Sequence, residues 1–326
     1  MSWVTSRARP DIVALEPYRH AAWEPGLARL HANELPWRTP GDDSQDGLNR
    51  YPEPQPRALI ERLAALYRSP TETLLATRGS DEAIDLLTRA FCRAGEDAVV
   101  VCPPTFGMYA AAARIQGARV VGVPLLSERG FALDAHAVLR ACGSDVKLVF
   151  LCSPNNPTGN LLDATAILEL ADALGGSALV VVDQAYIEFA AGAAAEGLVP
   201  RAPNLAILRT LSVIAPYAIT QQTVELVLRV LGSPHLAQMR RRVGEILAER
   251  ERLRAAIARS PQTIRVLPSE ANFFLVRRRD PALALGRARE AGLLVRDVRG
   301  LPGLADALRV TVGTPEQNER LLEAWQ

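Results

Sequence analysis

The sequence predicts an α/β protein in which a mostly parallel sheet lies between helices and is followed by a smaller α+β domain. Short apolar runs rich in β-branched residues, such as DAVVVC, VKLVFLC and ALVVVD, alternate with segments of helical periodicity. Wholly apolar runs are typical of parallel strands that are covered on both faces. After residue 233 the pattern changes to a long charged helix and then to shorter, more mixed segments.

The elements follow in order along the chain. Helical spacing in LIERLAALY and SDEAIDLLTRAF predicts two helices ahead of the sheet. The predicted strands DAVVVC, ARVVGVPL, VKLVFLCS, SALVVVDQAY and NLAILRTLS come next, and the helices TFGMYAAAARIQ, LDAHAVLRAC and DATAILELADAL lie between them. A helix over 234–260 is long and charged enough to bridge two domains. We therefore expect an N-terminal arm over 1–29 that associates with the small domain, a large domain over 30–231 and the small domain over 232–326.

The composition fits a folded globular chain, with 48% hydrophobic and 22% charged residues. The net charge of +1 gives no field that would attract nucleic acid or an anionic membrane, so those partners are not expected. No apolar run approaches the ~20 residues that cross a bilayer, and we expect a cytoplasmic protein. The cysteines show no metal-ligand spacing and are expected to be buried free thiols, with no metal site: Cys92, Cys102, Cys142 and Cys152.

Polar residues that follow apolar strands are the candidates for chemistry, because open parallel sheets bind ligands beyond the carboxyl ends of their strands. The turn SPNNPTG, residues 153–159, follows VKLVFLC, and its prolines make it rigid enough to present an asparagine side chain. Asp183 ends ALVVVD, and Tyr186 comes three residues later. A carboxylate there needs a cationic or donor partner, which a protonated pyridine nitrogen would supply. The alternatives are a structural turn, and a helix cap or salt bridge for Asp183.

Two further places carry candidate anion-binding groups. Ser80 and Asp81 open a helix, where free backbone N–H groups suit a phosphate, although an ordinary helix cap is the alternative. Arg296 and Arg309 lie in the β-rich C-terminal segments, which suggests bidentate recognition of a phosphate or carboxylate. For either arginine alone, a partly buried salt bridge is the alternative.

Taken together, the segments resemble one enzyme family. LHANELPW, RYPEPQPRAL, TRGSDEAIDLLTRAF, CPPTFGMY, SPNNPTGN, VVDQAYIEF, LRTLS and LRVTVGTPEQN occur in this order over nearly the whole chain. The chain thus resembles the fold-type I, pyridoxal-phosphate-dependent aminotransferases of class II, and among them the histidinol-phosphate aminotransferase family. The resemblance implies a homodimer that moves an amino group between glutamate and imidazole-acetol phosphate in histidine biosynthesis. Its small-molecule substrates would be histidinol phosphate, glutamate and 2-oxoglutarate, with pyridoxal 5'-phosphate as cofactor.

The resemblance also implies a role for each candidate residue. Asp183 would keep the ring nitrogen protonated, Asn156 and Tyr186 would hydrogen-bond the phenolate oxygen of the ring, and Phe106 would stack on the ring. Of these, Asp183 and Tyr186 are the catalytic candidates. The groups expected to hold the cofactor phosphate are Ser80, Asp81, Ser212 and Tyr51 of the partner subunit. The groups expected to hold substrate are Tyr18, Asn156, Arg296 and Arg309.

One expected residue is missing. In the family, the strand that ends Thr-Leu-Ser is followed by the lysine that forms the Schiff base, whereas here Ser212 is followed by Val213. From typical element lengths, about two dozen residues are absent at this junction, including a strand whose loss should destabilise the large domain. Lys147 is the one lysine of the chain. It stands a strand length from the expected site, on the order of 20 Å away, and cannot replace the missing amine.

Three explanations remain open at this point. The chain derives from an active aminotransferase and has lost the segment, or the segment is missing from the sequence as written. Alternatively, the chain is an inactive homologue that binds a phosphorylated ligand or pairs with an active partner. A third possibility is a different reaction, as in the related decarboxylases of amino-acid phosphates, although these also need the lysine.

Overall fold

A computed structural model describes residues 3–16, 37, 43–44, 53–190, 202–209 and 221–326. The chain divides into two compact units. The first comprises Met1–Val13, Ile84–Thr210 and Arg241–Gln326, and the second comprises Ala14–Ala83 and Leu211–Arg240. The boundaries expected from the sequence, 1–29, 30–231 and 232–326, stay a prediction.

A five-stranded parallel sheet forms the centre of the first unit. Its strands are β1 (Ala98–Val101), β2 (Arg119–Gly122), β3 (Val146–Cys152), β4 (Leu179–Asp183) and β5 (Leu205–Leu208). They pair in the order β2-β1-β3-β4-β5, and every pairing is parallel. The residues of β1 and β4 are buried throughout, as are all but one of β3, which explains why their sequences are continuously apolar. The predicted parallel sheet is confirmed.

Helices alternate with these strands. The helices are α1 (Trp3–Arg7), α2 (Pro10–Val13), α3 (Arg57–Tyr67), α4 (Gly79–Phe91), α5 (Met108–Gln116), α6 (Ala135–Ala141), α7 (Ala164–Ala173), α8 (Gln221–Val230), α9 (Ser233–Ala258), α10 (Pro281–Glu290) and α11 (Pro315–Ala324). Local chemistry fixes several of their ends. The carboxylates of Asp134 and Asp163 accept backbone N–H groups at the starts of α6 and α7, and Gly117 ends α5 with φ +80°.

A second, antiparallel sheet lies in the C-terminal part of the first unit. Its strands are β6 (Thr263–Val266), β7 (Phe273–Arg278), β8 (Arg296–Asp297) and β9 (Ala307–Thr311), in the order β6-β7-β9-β8. Phe274 and Val276 of β7 pack in one apolar cluster with Leu253 and Ile257 of α9 and with Trp325. This sheet and its helices correspond to the smaller α+β domain that the sequence predicts, and they belong to the same compact unit as the parallel sheet.

The second unit holds α3, α8 and the start of α9. Its apolar cluster joins Leu59 of α3 to Val224 and Val227 of α8. Gln55 accepts the N–H of Ala76 at 2.8 Å and donates to its carbonyl at 3.0 Å. Helix α9, 26 residues long, begins in this unit and ends in the first one. Across the described ranges, no helix combines the length and apolarity that crossing a membrane requires.

Candidate active site

The candidate site lies at the carboxyl edge of the parallel sheet, where β3, β4 and β5 end side by side. Cys152 of β3 pairs with Asp183 of β4, and Asp183 pairs with Leu208 of β5. The turn 153–159 continues from β3, and Ser153 donates its N–H to the carbonyl of Asp183 at 2.9 Å. The sheet register therefore places this turn beside the end of β4.

Asp183 is a buried carboxylate that is only 2% exposed. Its Oδ2 accepts the hydroxyl of Tyr109 at 2.8 Å, and its Oδ1 accepts the backbone N–H of Ala185 at 3.1 Å. Both of these donors are neutral groups, and together they orient the carboxylate. Burial raises the pKa of Tyr109 well above its usual value, which keeps the phenol protonated and able to donate. A buried carboxylate held in this way suits a cationic ligand atom.

Tyr109 is the residue of this site that was not predicted from the sequence. It lies in the first turn of α5 and its ring is stacked on that of Phe150, with centroids 5.0 Å apart and planes 3° apart. The ring of Phe106, a predicted site residue that is half-buried, lies nearly perpendicular to that of Tyr109, with the ring centroids 5.6 Å apart. The sequence did offer a signal for Tyr109, since it is a tyrosine in an otherwise alanine-rich helix. A buried tyrosine hydroxyl needs a hydrogen-bond partner, which would have pointed to a nearby polar group.

The two asparagines of the turn have different tasks. Asn155 is fully buried and ties the turn to its surroundings, since its amide donates to the carbonyl of Pro104 at 2.8 Å and to Oγ1 of Thr158 at 2.6 Å. Its Oδ1 accepts the hydroxyl of Thr105 at 3.0 Å. Asn155 is thus structural and leaves Asn156, which is half-buried, as the residue that the turn presents.

Asn156 links the two sheets of the first unit. Its Nδ2 donates to the hydroxyl of Tyr186 at 3.4 Å, and its Oδ1 accepts Nη1 of Arg309 at 2.6 Å. The ring of Phe273 meets that of Tyr186 edge-on at 5.0 Å, and the guanidinium of Arg309 lies 5.0 Å from the centroid of the same ring. The structure therefore brings together three of the predicted site residues, Asn156, Tyr186 and Arg309.

Arg296 and Arg309 stand directly opposite each other across β8 and β9. Directly opposite residues project from the same side of a sheet, where like charges repel. Burial and, less strongly, the charge of Arg296 lower the pKa of Arg309, while Tyr186 acts in the opposite sense. Nε of Arg309 is buried and has no hydrogen-bond partner among the described residues. An anion between the two arginines would remove the repulsion and use the unpaired donor.

Ser80 and Asp81 lie in the first turn of α4, within the second compact unit. Gly79 precedes them with φ +75°, and Glu82 accepts the backbone N–H of Arg78 at 2.6 Å. The contact at this helix start is thus made by Glu82, and both roles suggested for Ser80 and Asp81, at a phosphate or as a helix cap, stay predictions. Tyr18, Tyr51 and Ser212, with the junction to Val213, lie outside the described residues.

Lys147 lies at the opposite end of the parallel sheet. It is the second residue of β3, whereas Asn156 follows the last residue of that strand. Its Nζ donates to the carbonyl of Ser144 at 3.0 Å and lies 3.7 Å from a carboxylate oxygen of Asp97. A strand rises ~3.3 Å per residue, so the amine lies well out of reach of Asp183. The prediction that Lys147 cannot supply the site with an amine agrees with this placement.

The parallel sheet, its order and the buried carboxylate at its carboxyl edge define a class of protein, the fold-type I pyridoxal-phosphate-dependent transferases. Solved structures share this fold. A histidinol-phosphate aminotransferase from Sinorhizobium meliloti, crystallised with pyridoxal-5'-phosphate, superimposes with a TM-score of 0.73 at 21% identity, covering 85% of this chain and 82% of that one. An L-threonine-O-3-phosphate decarboxylase from Porphyromonas gingivalis gives 0.67 at 22% identity, with 85% and 90% covered. At such identities the likeness establishes the fold alone.

Sequence comparison gives the family. The model of the aminotransferase class I and II family matches residues 31–213 and 211–324, and the chain belongs to this family. The two matches meet at the junction where the lysine segment was expected. A histidinol-phosphate aminotransferase of Xanthomonas euvesicatoria pv. vesicatoria (strain 85-10) is 44% identical over 354 aligned positions, covering 100% of this chain and 97% of the relative. Because this chain has 326 residues, the relative carries residues that have no counterpart here.

The described residues fit a pyridoxal phosphate ring but not its covalent attachment. The buried carboxylate of Asp183 matches a protonated ring nitrogen, and the half-buried amide and phenol of Asn156 and Tyr186 match a phenolate oxygen. The one lysine of the chain lies at the wrong end of the sheet. The site thus retains the groups that would recognise the ring, while the amine that would bond to it is missing.

Proposed function

We propose that this chain carries the active-site frame of a transaminase that moves an amino group between glutamate and imidazole-acetol phosphate in histidine biosynthesis. The observation that carries the proposal is the buried Asp183 at the carboxyl edge, close to the connected group of Asn156, Tyr186 and Arg309. The name of the Xanthomonas relative supports the choice of substrate.

The proposed cofactor is pyridoxal 5'-phosphate. Asp183 would hold the ring nitrogen, Asn156 and Tyr186 the phenolate oxygen, and Phe106 the face of the ring. The proposed phosphate ligands are Ser80, Asp81, Ser212 and Tyr51 of the partner subunit, which makes the functional form a homodimer in the cytoplasm. When bound, the cofactor supplies an electron sink for the negative charge that develops at the substrate Cα.

The proposed substrate groups are anionic. Arg309 would accept the carboxylate of glutamate or 2-oxoglutarate, and its contact with Asn156 would place that anion next to the ring. Arg296, on the same side of β8 and β9, would share the phosphate of histidinol phosphate, with Tyr18 as a third ligand. A pair of arginines is suited to both anions because each guanidinium offers a planar fork of donors.

The chain as written should turn over slowly. In a transamination a base must remove the proton from Cα and an acid must return it elsewhere, and a positioned group contributes about 10²-fold to 10⁴-fold to such transfers. Lys147 is too distant to serve, and Asp183, Tyr186 and Asn156 are engaged with the ring in the proposed arrangement. We therefore expect ligand binding to survive while the proton transfer is lost.

The test restores what is missing. The lysine-bearing segment of the Xanthomonas relative is inserted between Ser212 and Val213, and transamination of histidinol phosphate with 2-oxoglutarate is measured beside the unaltered chain. A matched control carries the same insert with its lysine replaced by alanine. We expect activity well above that of the unaltered chain in the lysine-bearing form only, and not in the alanine control.

Two results would contradict the proposal. Inactivity of the lysine-bearing form, together with ligand affinity in the unaltered chain, would favour a non-enzymatic binder of phosphorylated ligands. A borohydride-trappable bond between pyridoxal phosphate and the unaltered chain would show that the expected impairment is wrong. The intact mass of the protein from its native source, compared with 35.3 kDa, tells whether the segment is absent from the cell's own protein.

A further inference from the structure

We propose that Tyr109 is a positioning residue: its hydroxyl holds the carboxylate of Asp183 in the orientation that would meet a protonated ring nitrogen. This inference rests on the proposed function, because it concerns the same site. It assigns a task to a residue that the family resemblance did not provide with one. The hydrogen bond from the Tyr109 hydroxyl to Oδ2, at 2.8 Å, is its starting point.

The ring of Tyr109 has no freedom to move away from the carboxylate. The side chain is completely buried. One face is stacked on Phe150 of β3, and Phe106 meets the ring at an angle of 82°. Tyr109 is therefore braced by the sheet and by the loop that leads into α5, and its hydroxyl is a fixed point from which the carboxylate can be oriented.

The two oxygens of Asp183 are held from different elements. Oδ2 accepts from Tyr109 of α5, and Oδ1 accepts at 3.1 Å from Ala185, two residues further along the chain. Two donors on different oxygens fix the plane of a carboxylate, while an ionised carboxylate has about four lone-pair sites in total. These two contacts therefore orient the carboxylate.

The phenol is suited to this task because it is neutral and stays protonated. Its pKa is raised by burial and, less strongly, by neighbouring negative charge, so it acts as a donor over the whole physiological range. A cationic donor in its place would compete with the ring nitrogen for the negative charge. A neutral donor lowers the cost of burying the carboxylate and adds no positive charge beside it.

Tyr109→Phe tests the inference, because it removes the hydroxyl and keeps the stacked ring. The ligand is pyridoxamine 5'-phosphate, which needs no lysine and can be used with the full chain as it exists. We expect its dissociation constant to rise about tenfold in the variant, as befits a hydrogen bond to a charged group. Tyr67→Phe in α3 is the matched control for loss of a phenol hydroxyl and should leave the constant unchanged.

A second ligand separates positioning from a general structural role. In 1-deaza-pyridoxamine 5'-phosphate a C–H replaces the ring nitrogen, so Asp183 has no N–H to accept. Because the orientation of the carboxylate then matters little, we expect Tyr109→Phe to change the affinity for this analogue less than about twofold, the size of a weak exposed polar contact. Thermal unfolding of both variants verifies that they are folded.

The outcomes are distinguishable. An equal loss of affinity for both ligands, or no loss for either, would overturn the positioning role of Tyr109. If the unaltered chain binds neither compound, the cofactor assignment in the proposed function fails and the role of Tyr109 fails with it. If the unaltered chain binds pyridoxamine phosphate but Tyr109→Phe binds it equally well, only the role of Tyr109 fails.

Discussion

Gly159, the glycine of the Asn-Pro-Thr-Gly turn, has both a left-handed backbone conformation and no room for a side chain. Its φ of +78° is in the left-handed region, and an added Cβ would lie 2.9 Å from Cβ of Ser269 and closer still to its Oγ. Ser269 is buried and cannot turn aside cheaply, because its hydroxyl donates to the carbonyl of Phe273 and accepts the N–H of Ala271 at 3.1 Å. Gly159→Ala should therefore suffer both backbone strain and a collision.

The expected loss follows from these two contributions. The left-handed conformation costs an alanine about 1 to 2 kcal/mol. Overpacking at a buried site typically costs a further 1 to 3 kcal/mol or so. Gly159→Ala should thus lower the free energy of unfolding by about 2 to 5 kcal/mol. The displaced segment leads directly into Phe273, which contacts Tyr186 and Arg309, so pyridoxamine phosphate affinity should fall as well.

Two other glycines separate the contributions. Gly130 has φ +68° with open space around its Cβ position, and Gly130→Ala should show the strain alone. Gly176 has neither a positive φ nor a neighbour within 4 Å, and Gly176→Ala should be neutral or slightly stabilising. Urea unfolding followed by circular dichroism ranks the three variants.

The reasoning is refuted if Gly159→Ala unfolds at the same urea concentration as Gly130→Ala. A double variant tests the identity of the obstacle. Ser269→Ala removes the nearest atom, so Gly159→Ala combined with Ser269→Ala should lose less stability than the sum of the single changes.

Two further predictions concern charge and pH. Arg309→Gln should weaken the binding of 2-oxoglutarate about tenfold or more. The affinity of Arg309→Lys should lie between those of the unaltered chain and Arg309→Gln, because lysine keeps the charge but lacks the planar fork of donors. Isothermal calorimetry compares the three proteins, and equal affinity in all of them would show that Arg309 does not bind the anion. Burial raises the pKa of Cys92, Cys102 and Cys152 to about 12 and that of Cys142 to about 11, so little thiolate forms below these values. Ellman's reagent at pH 8 should therefore react slowly with the folded chain. In denaturant, where the burial is lost, all four thiols should react rapidly; rapid reaction of the folded chain would contradict this.

The fold was predictable because its signals are local. Wholly apolar runs predicted β1, β3 and β4, and the burial of these strands explains that composition. The start of α5 was placed too early, since the predicted helix opened at Thr105 and the observed one begins at Met108. The hydroxyl of Thr105 is bonded to Asn155, which holds this segment in the loop.

The candidate site was only partly predictable because its contacts are long-range. The approach of Arg309 to Asn156 joins residues 153 positions apart, and no spacing rule reports it. The hydrogen bond between Tyr109 and Asp183 joins the start of α5 to the end of β4, and only its acceptor, Asp183, was predicted from the sequence. The division of tasks between Asn155 and Asn156 likewise depended on the carbonyl of Pro104, which becomes a neighbour only in the folded chain.

The position of the single lysine allows opening of the parallel sheet to be followed by proteolysis of the unaltered chain. A protease that cleaves only after lysine has one target, the bond between Lys147 and Leu148, in the middle strand of the five-stranded sheet. Leu148 is fully buried, so the bond can enter a protease cleft only when β3 leaves its neighbours. Cleavage would give two fragments on a gel, and its rate, with and without a bound ligand, would report how often the parallel sheet opens.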